Sequence, residues 1–463
     1  MHIFPPQIEI GDEEGFSDKK DIFELKEFGQ GLMHLNERVE DPLVIALDGP
    51  WGSGKTTFIK MWLGHLRQNG FPVIYFDAFA NDHIDDAFTA IAGEVVTLAE
   101  ELTDDKKKAF LDNAKSTFKV LLRSGVKIGV KALTLGALNQ DDLEDLKSIP
   151  EDVAKEASEL TDSFLQAQLE NRAKDREVFD SFKTALEEIS IELANKSMDK
   201  KTPREDSGEP VQPTPNRPLI FVIDELDRCK PTFTLALLER IKHFFSVPKV
   251  NFVLVTNLDQ LKKSVSYSYG SDDEEARMYL QKFYHLATRL PEKKQLRGQS
   301  HIDGFISYVF NDFSKFEAES VHRQSIITSL SSIAEIRGYS LRTIEKISTR
   351  IALVLASADS RQLALAPLIT CLCAFKIDCP ELYMKAQNRT INLNEVEGFF
   401  VFSKWRKHVD LSETLAHDLW KYCLGSGSGD IKIFMGRNRF HEWRNVLPAT
   451  CELIEGLKFS EER

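Results

Sequence analysis

Short apolar runs stand at Leu43–Leu47, at Leu219–Ile223 and, interrupted by Asn251, at Val250–Val255. None shows the apolar–polar alternation of a half-exposed strand, so each predicts a strand covered on both faces, as in a parallel sheet. A helical-looking stretch follows the first of them, at Thr57–Leu63. From Asp303 onward Leu, Ile and Phe recur at threes and fours with few strand-like runs, which predicts helices to the end of the chain. The pattern reads as an α/β core with a largely parallel sheet, followed by an all-helical C-terminal region.

Between the first strand and its helix lies Gly49-Pro50-Trp51-Gly52-Ser53-Gly54-Lys55-Thr56. A GxxxxGKT loop in that setting is a phosphate-binding P-loop, the Walker A motif. Its glycines let backbone N–H groups turn inward around a phosphate, and the following helix presents the positive end of its dipole. Lys55 is expected to reach the β- and γ-phosphates and the Thr56 hydroxyl to ligand Mg²⁺. Gly49 through Thr57 are therefore candidate nucleotide-binding residues.

A partner motif should be an apolar strand ending in acids, and Leu219–Ile223 ends in Asp224-Glu225. Asp224 is expected to hold the Mg²⁺ and Glu225 to orient and deprotonate the attacking water. The strand Val250–Val255 ends at Thr256-Asn257. Asn257 is a candidate catalytic residue, because its amide offers both a donor and an acceptor near the γ-phosphate. An Asn there is also an ordinary turn former.

Val222-Ile223-Asp224-Glu225-Leu226-Asp227-Arg228-Cys229-Lys230-Pro231 resembles the extended Walker B signature of KAP-family P-loop NTPases. The block Ile74–Phe79, the stretch Leu237–Lys242 and the block Tyr279–Tyr284 resemble further elements of that family in the same order. The resemblance runs from roughly Phe23 to Pro291 apart from one long insertion. Two departures stand out: Glu225 replaces the usual second Asp, which keeps the carboxylate, and Ala80 stands where the family has an Arg. The resemblance implies an ATPase of prokaryotic conflict systems acting with a separately encoded protein effector, as in antiphage defence. Gly338–Glu345 resembles the arginine-bearing helix start that related ATPases place on a helical lid. Ser340 would cap that helix, and Arg342 would point a cation at the γ-phosphate.

The expected organisation is residues 1–103 as the N-terminal segment and first half of the core, 104–201 as a helical insertion between Walker A and Walker B, 202–218 as a Pro-rich linker, 219–302 as the second half of the core, and 303–463 as lid and C-terminal helical domain. Pro203, Pro210, Pro213, Pro215 and Pro218 mark the linker. The most apolar part of the insertion, Val120–Leu138, carries Arg123, Lys127 and Lys131, too many cations for a membrane span of about 20 residues. With Lys119 these cations fall four apart, which fits a solvated helix face, with a membrane-surface helix as the alternative. Phe179, Phe182, Leu186, Ile189 and Leu193 have the spacing of a helix–helix seam.

Composition narrows the classes. At 463 residues the chain has room for two or three domains. No signal peptide is visible at its start, and six cysteines without CxxC or His-rich spacing fit reduced thiols in a cytoplasmic protein. Cys371-Leu372-Cys373 is expected on an apolar helix face. The net charge of −13 does not indicate nucleic acid, although basic clusters at Arg337, Arg342, Lys346 and Arg350, and at Lys404, Arg406, Lys407 and His408, leave it open. Gly425–Gly429 reads as a hinge or loop. The expected function is a Mg²⁺-dependent ATPase whose cofactors are ATP and Mg²⁺ and whose nucleotide cycle controls assembly with an effector or with further copies of itself. A nucleotide-gated scaffold with little turnover and a P-loop phosphotransferase are the rivals.

Overall fold

The computed structural model describes residues 8–83, 217–242, 246–291, 301–312, 320–405, 412–438, 440 and 442–456, with isolated positions at 91, 183, 184, 186, 187, 190 and 191. The sheet contains β1 (Val44–Asp48), β2 (Val73–Asp77), β3 (Leu219–Asp224), β4 (Val250–Thr256) and β5 (Leu286–Arg289). All pairings are parallel and the order is β2-β3-β4-β1-β5. The strand carrying the P-loop is thus separated from the Walker B strand by β4. Every residue of β1, β3 and β4 is buried, which is why these strands are largely apolar rather than alternating; the exception inside β4, Asn251, is hydrogen-bonded to Leu43 N–H and Asn36. The edge strand β5 was not expected from the sequence. It is four residues long and mostly exposed, so it lacks the apolar run that betrays the others.

Helices cover both faces. One face packs on α1 (Lys26–Arg38) and α2 (Lys55–Gln68) through Leu32, Phe58 and Trp62. The other packs on α3 (Pro231–Ile241), α4 (Leu258–Tyr269) and α5 (Asp273–Leu280) through Leu237, Leu261 and Leu280. Leu186, from the expected seam, is buried in this second core, so at least this position packs within the chain. Phe179, Phe182, Ile189, Leu193, residues 120–138, and Arg406, Lys407 and His408 lie outside the described residues.

Beyond the sheet the chain is helical, through α6 (His301–Asp312), α7 (Ser320–Arg337), α8 (Leu341–Ser357), α9 (Ser360–Leu363), α10 (Ala366–Asp378), α11 (Pro380–Gln387), α12 (Leu393–Phe400), α13 (Ser412–Cys423), α14 (Gly429–Arg437) and α15 (Trp443–Gly456). The hub is α10, buried at every position from Ala366 to Phe375. It packs against α7, α8, α11, α13 and α15, so it is apolar all round, as a fully enclosed helix must be. Cys371 and Cys373 lie within it, both fully buried. The glycine-rich stretch from Gly425 is a compact turn, with Gly425 N–H donating to Tyr422 O at 3.0 Å and Ser426 N–H to Lys421 O at 2.8 Å. Among the described residues no helix is long and apolar enough to cross a membrane.

The N-terminal segment ties core to bundle. The Asp21 carboxylate accepts the backbone N–H groups of Leu25 at 2.8 Å and Lys26 at 2.9 Å, which fixes the entry to α1. Upstream, the backbone crosses α2 so closely that a Cβ on Gly64 would lie 2.2 Å from Glu14 O and 3.0 Å from Gly15 N. Arg67 donates to Asp12 O at 2.5 Å and Gln68 to Glu13 O at 2.9 Å. Because the obstacle is backbone, Gly64→Ala should lower the unfolding free energy by roughly 1–3 kcal/mol and speed tryptic cleavage at Lys19 and Lys20. Parental stability in denaturant titration would show that the segment is not seated on α2.

Candidate functional site

The P-loop leaves β1 and turns back through two left-handed glycines, Gly52 (φ 76°) and Gly54 (φ 86°), a conformation that an L side chain adopts only with strain. Gly54 then begins α2, placing Lys55, Thr56 and Thr57 in its first turn. Gly49 N–H donates to Thr256 O at 3.1 Å, anchoring the root of the loop to β4. Lys55 is buried and folds back on the loop, its Nζ donating to Gly49 O at 2.5 Å and Pro50 O at 3.1 Å. Burial pulls its pKa below the usual lysine range, while the carboxylates of Asp227, Asp224 and Asp48 oppose the shift. Among the described residues the buried Ser53 hydroxyl has no hydrogen-bond partner.

Asp224 ends β3 almost fully buried. It accepts from Glu225 N–H at 2.7 Å, Tyr75 OH at 3.1 Å and the Thr56 hydroxyl. Burial nevertheless holds its pKa above the usual carboxylate range, so a cation beside it would relieve the cost of its charge. Thr56 and Asp224, expected as the Mg²⁺ residues, are therefore adjacent. Glu225 follows in a left-handed conformation (φ 59°), uncommon for a residue with a Cβ, and pairs with Arg228 at 2.6 Å. Burial raises its pKa, and Arg228 opposes the rise.

A cavity of about 860 Å³ opens over these groups. Its polar lining includes Trp51 through Thr57, Asp224, Glu225, Asp227 and Arg228. Its apolar lining includes Phe23, Leu25, Met61, Phe305, Val309 and Leu353. A wall that combines the two suits a ligand carrying both phosphates and a base. The left-handed glycines, the inward Lys55, the orphaned Ser53 hydroxyl and the Thr56–Asp224 pair fit a nucleotide with Mg²⁺.

The C-terminal bundle closes the cavity through α8. Ser340 caps this helix, accepting from Thr343 N–H at 3.2 Å. The N–H of Leu341 donates to Gly52 O at 3.0 Å, so the helix begins directly on the P-loop, and Arg342 lines the cavity beside it. Lys346 and Arg350 follow on the same wall, Arg350 also donating to Ile454 O at 3.3 Å. Arg337 does not join them. It pairs with Asp378 at 3.0 Å and lies over the Phe399 ring, so the basic cluster read from sequence is divided between cavity and bundle.

Asn257 is placed differently from expectation. Its Oδ1 accepts from Asp259 N–H at 3.1 Å as the cap of α4, and it is not among the cavity-lining residues. The start of α4 needs an acceptor for its free N–H groups, and Asn is suited to that place. Sequence reasoning also missed several participants. Asp48, at the root of the P-loop, accepts from Leu258 N–H at 2.9 Å and pairs with Arg289 at 2.6 Å. Phe23 stacks on Phe305 with ring centroids 6.1 Å apart, bringing the N-terminal segment into the apolar lining. Trp51 donates its indole N–H to Asp227. Among the described residues no group of three or more His, Cys, Asp or Glu forms a ready-made metal cluster.

Gly52 carries both a turn and a contact. A Cβ there would lie 3.0 Å from Arg342 Cβ and 3.2 Å from Arg342 N. Gly52→Ala should therefore weaken ATP binding by about tenfold or more. Calorimetric titration checks this, and parental affinity would mean that α8 does not rest on the loop.

Comparison with known proteins agrees with the geometry. The KAP family P-loop domain matches residues 30–352, a span that includes both Walker motifs, the whole sheet and α8 as far as Ala352. No curated protein matches the chain at a significant level. The match covers well over half of the 463 residues, and the chain belongs to the KAP family of P-loop NTPases.

Proposed function

We propose that the chain binds Mg-ATP in this cavity, hydrolyses it, and uses the difference between ATP and ADP to change how α8 rests on the P-loop. The observation that carries the proposal is the hydrogen bond from Leu341 N–H to Gly52 O with Arg342 beside it. A lid fastened to the phosphate loop itself senses any adjustment that phosphates impose on that loop.

Each residue has a role in this scheme. Gly52, Ser53 and Gly54 present N–H and hydroxyl donors to the phosphates. Lys55 exchanges the carbonyls of Gly49 and Pro50 for phosphate oxygens, and Thr57 lines the same turn. Thr56 and Asp224 are the residues that would hold Mg²⁺, which would supply neutralisation of phosphate charge. Glu225 takes the proton of the attacking water, and Arg342 approaches the γ-phosphate from the lid. Trp51 and Pro50 complete the loop, and Asn257 fixes α4 behind it.

The wider reading rests on the family resemblance. We infer a prokaryotic, cytoplasmic ATPase of antiphage defence whose nucleotide cycle governs assembly with a separately encoded effector, with the domain division given above. The Glu225–Arg228 ion pair favours one alternative, a nucleotide-gated scaffold with little turnover, because it gives the proposed base a competing partner.

Two substitutions separate binding from chemistry. Lys55→Ala should abolish ATP binding without unfolding the protein; parental affinity would remove the P-loop assignment. Glu225→Gln should bind Mg-ATP almost normally and release phosphate about 10²–10⁴-fold more slowly, as for loss of a general base. A parental rate in that variant would reject Glu225 as the base, and no phosphate release by the unmodified chain would favour the scaffold.

A further inference from the structure

Two side-chain ties join the P-loop to the end of β3. One is the Thr56 hydroxyl on Asp224, already accounted for by Mg²⁺ binding. The other is the Trp51 indole N–H on the carboxylate of Asp227, and the scheme above leaves it unused. Trp51 stands two residues into the loop, beside the left-handed Gly52 on which α8 rests. Asp227 lies in the 3-10 turn Leu226–Arg228 that follows Glu225. Both residues line the cavity together with Lys55.

An exposed tryptophan in a phosphate loop needs a reason. The Trp51 side chain is exposed, at 43%, so little packing energy holds it there. Water would satisfy its N–H equally well if the tie served stability alone. Its partner shares the cavity wall with Lys55, Thr56 and Asp224, and its carboxylate is among those that oppose the effect of burial on Lys55. Glu225 is held by Arg228 at 2.6 Å. The site thus offers two carboxylates with different restraints, one on a guanidinium and one on an indole.

We propose that Asp227 is a second water-orienting carboxylate of the hydrolytic site and that Trp51 is the positioning residue that aims it across the cavity. The inference rests on the ATPase reading and leaves proton abstraction to Glu225. Asp227 accepts a hydrogen bond from the attacking water while its other oxygen is held by the indole, so the water keeps its approach to the γ-phosphorus. The tie runs from the P-loop to the Walker B turn, so it is set only when those two segments are in register.

The test uses Trp51→Phe, which keeps the ring and deletes the N–H, Asp227→Asn, which keeps an acceptor and deletes the charge, and the double variant. Phosphate release and Mg-ATP affinity are measured for each. Trp51→Phe should lower kcat about tenfold and Asp227→Asn about a hundredfold, with Kd for Mg-ATP changed less than about threefold. Trp51→Phe should have a much smaller effect in the Asp227→Asn background than alone, because the carboxylate whose position the indole sets is gone. A parental kcat in either single variant, equal additive losses, or a loss confined to Kd would overturn the proposal. Indole N–H resonances give a readout that needs no turnover. The signal that disappears in Trp51→Phe must move in Asp227→Asn, and a stationary signal overturns the tie. If the unmodified chain itself released no phosphate while that signal moved as expected, the ATPase reading would fail, and with it the catalytic role of Asp227, whereas the tie would stand.

Discussion

The carbonyl of Gly52 accepts the first N–H of α8, and much of the molecule is arranged around that contact. It requires a loop residue without a Cβ, a capped helix start at Ser340, and a bundle rigid enough to hold α8 at a fixed angle. The fully enclosed helix α10 provides that rigidity by packing against α8 and four of its neighbours. At the other side, α2 carries the N-terminal segment at backbone contact through Gly64, and that segment reaches α6 through Phe23 and Phe305. Loop, lid and N-terminal segment therefore form one closed path around the cavity.

Electrostatics explain why the polar lining is poised for a cationic and anionic ligand together. Asp224 and Glu225 are both raised by burial, while Lys55 is lowered by it. Each group carries its charge at a cost that a neighbour of opposite sign removes. In the proposed Mg-ATP complex a metal ion beside Asp224 and phosphates beside Lys55 would supply those neighbours, so that binding would relieve what folding left unbalanced.

The parts visible in the sequence are those fixed by contiguous residues. The P-loop, the Walker B acids and the buried strands each follow from a run of adjacent positions whose chemistry allows few alternatives, and Ser340 announces its helix for the same reason. What escaped depends on distant partners. Strand β5 is held by pairing with β1 rather than by its own composition. Asn257 offers an amide suited to a γ-phosphate, but α4 needs a cap, and the cap prevails. Arg337 and Arg342 look alike in sequence, yet Asp378 and Phe399 draw the first into the bundle. The indole of Trp51 gives no hint that Asp227 will face it.

The claim at the centre is that the lid reads the γ-phosphate through the contact between α8 and the P-loop. Its most direct test is the ratio of ATP to ADP affinity in Arg342→Ala, with Glu225→Gln as background so that ATP persists. A cation acting on the γ-phosphate changes only the ATP complex, so the ratio should fall severalfold while ADP affinity stays near the parental value. An unchanged ratio, with both affinities equally weakened or equally intact, would contradict the account.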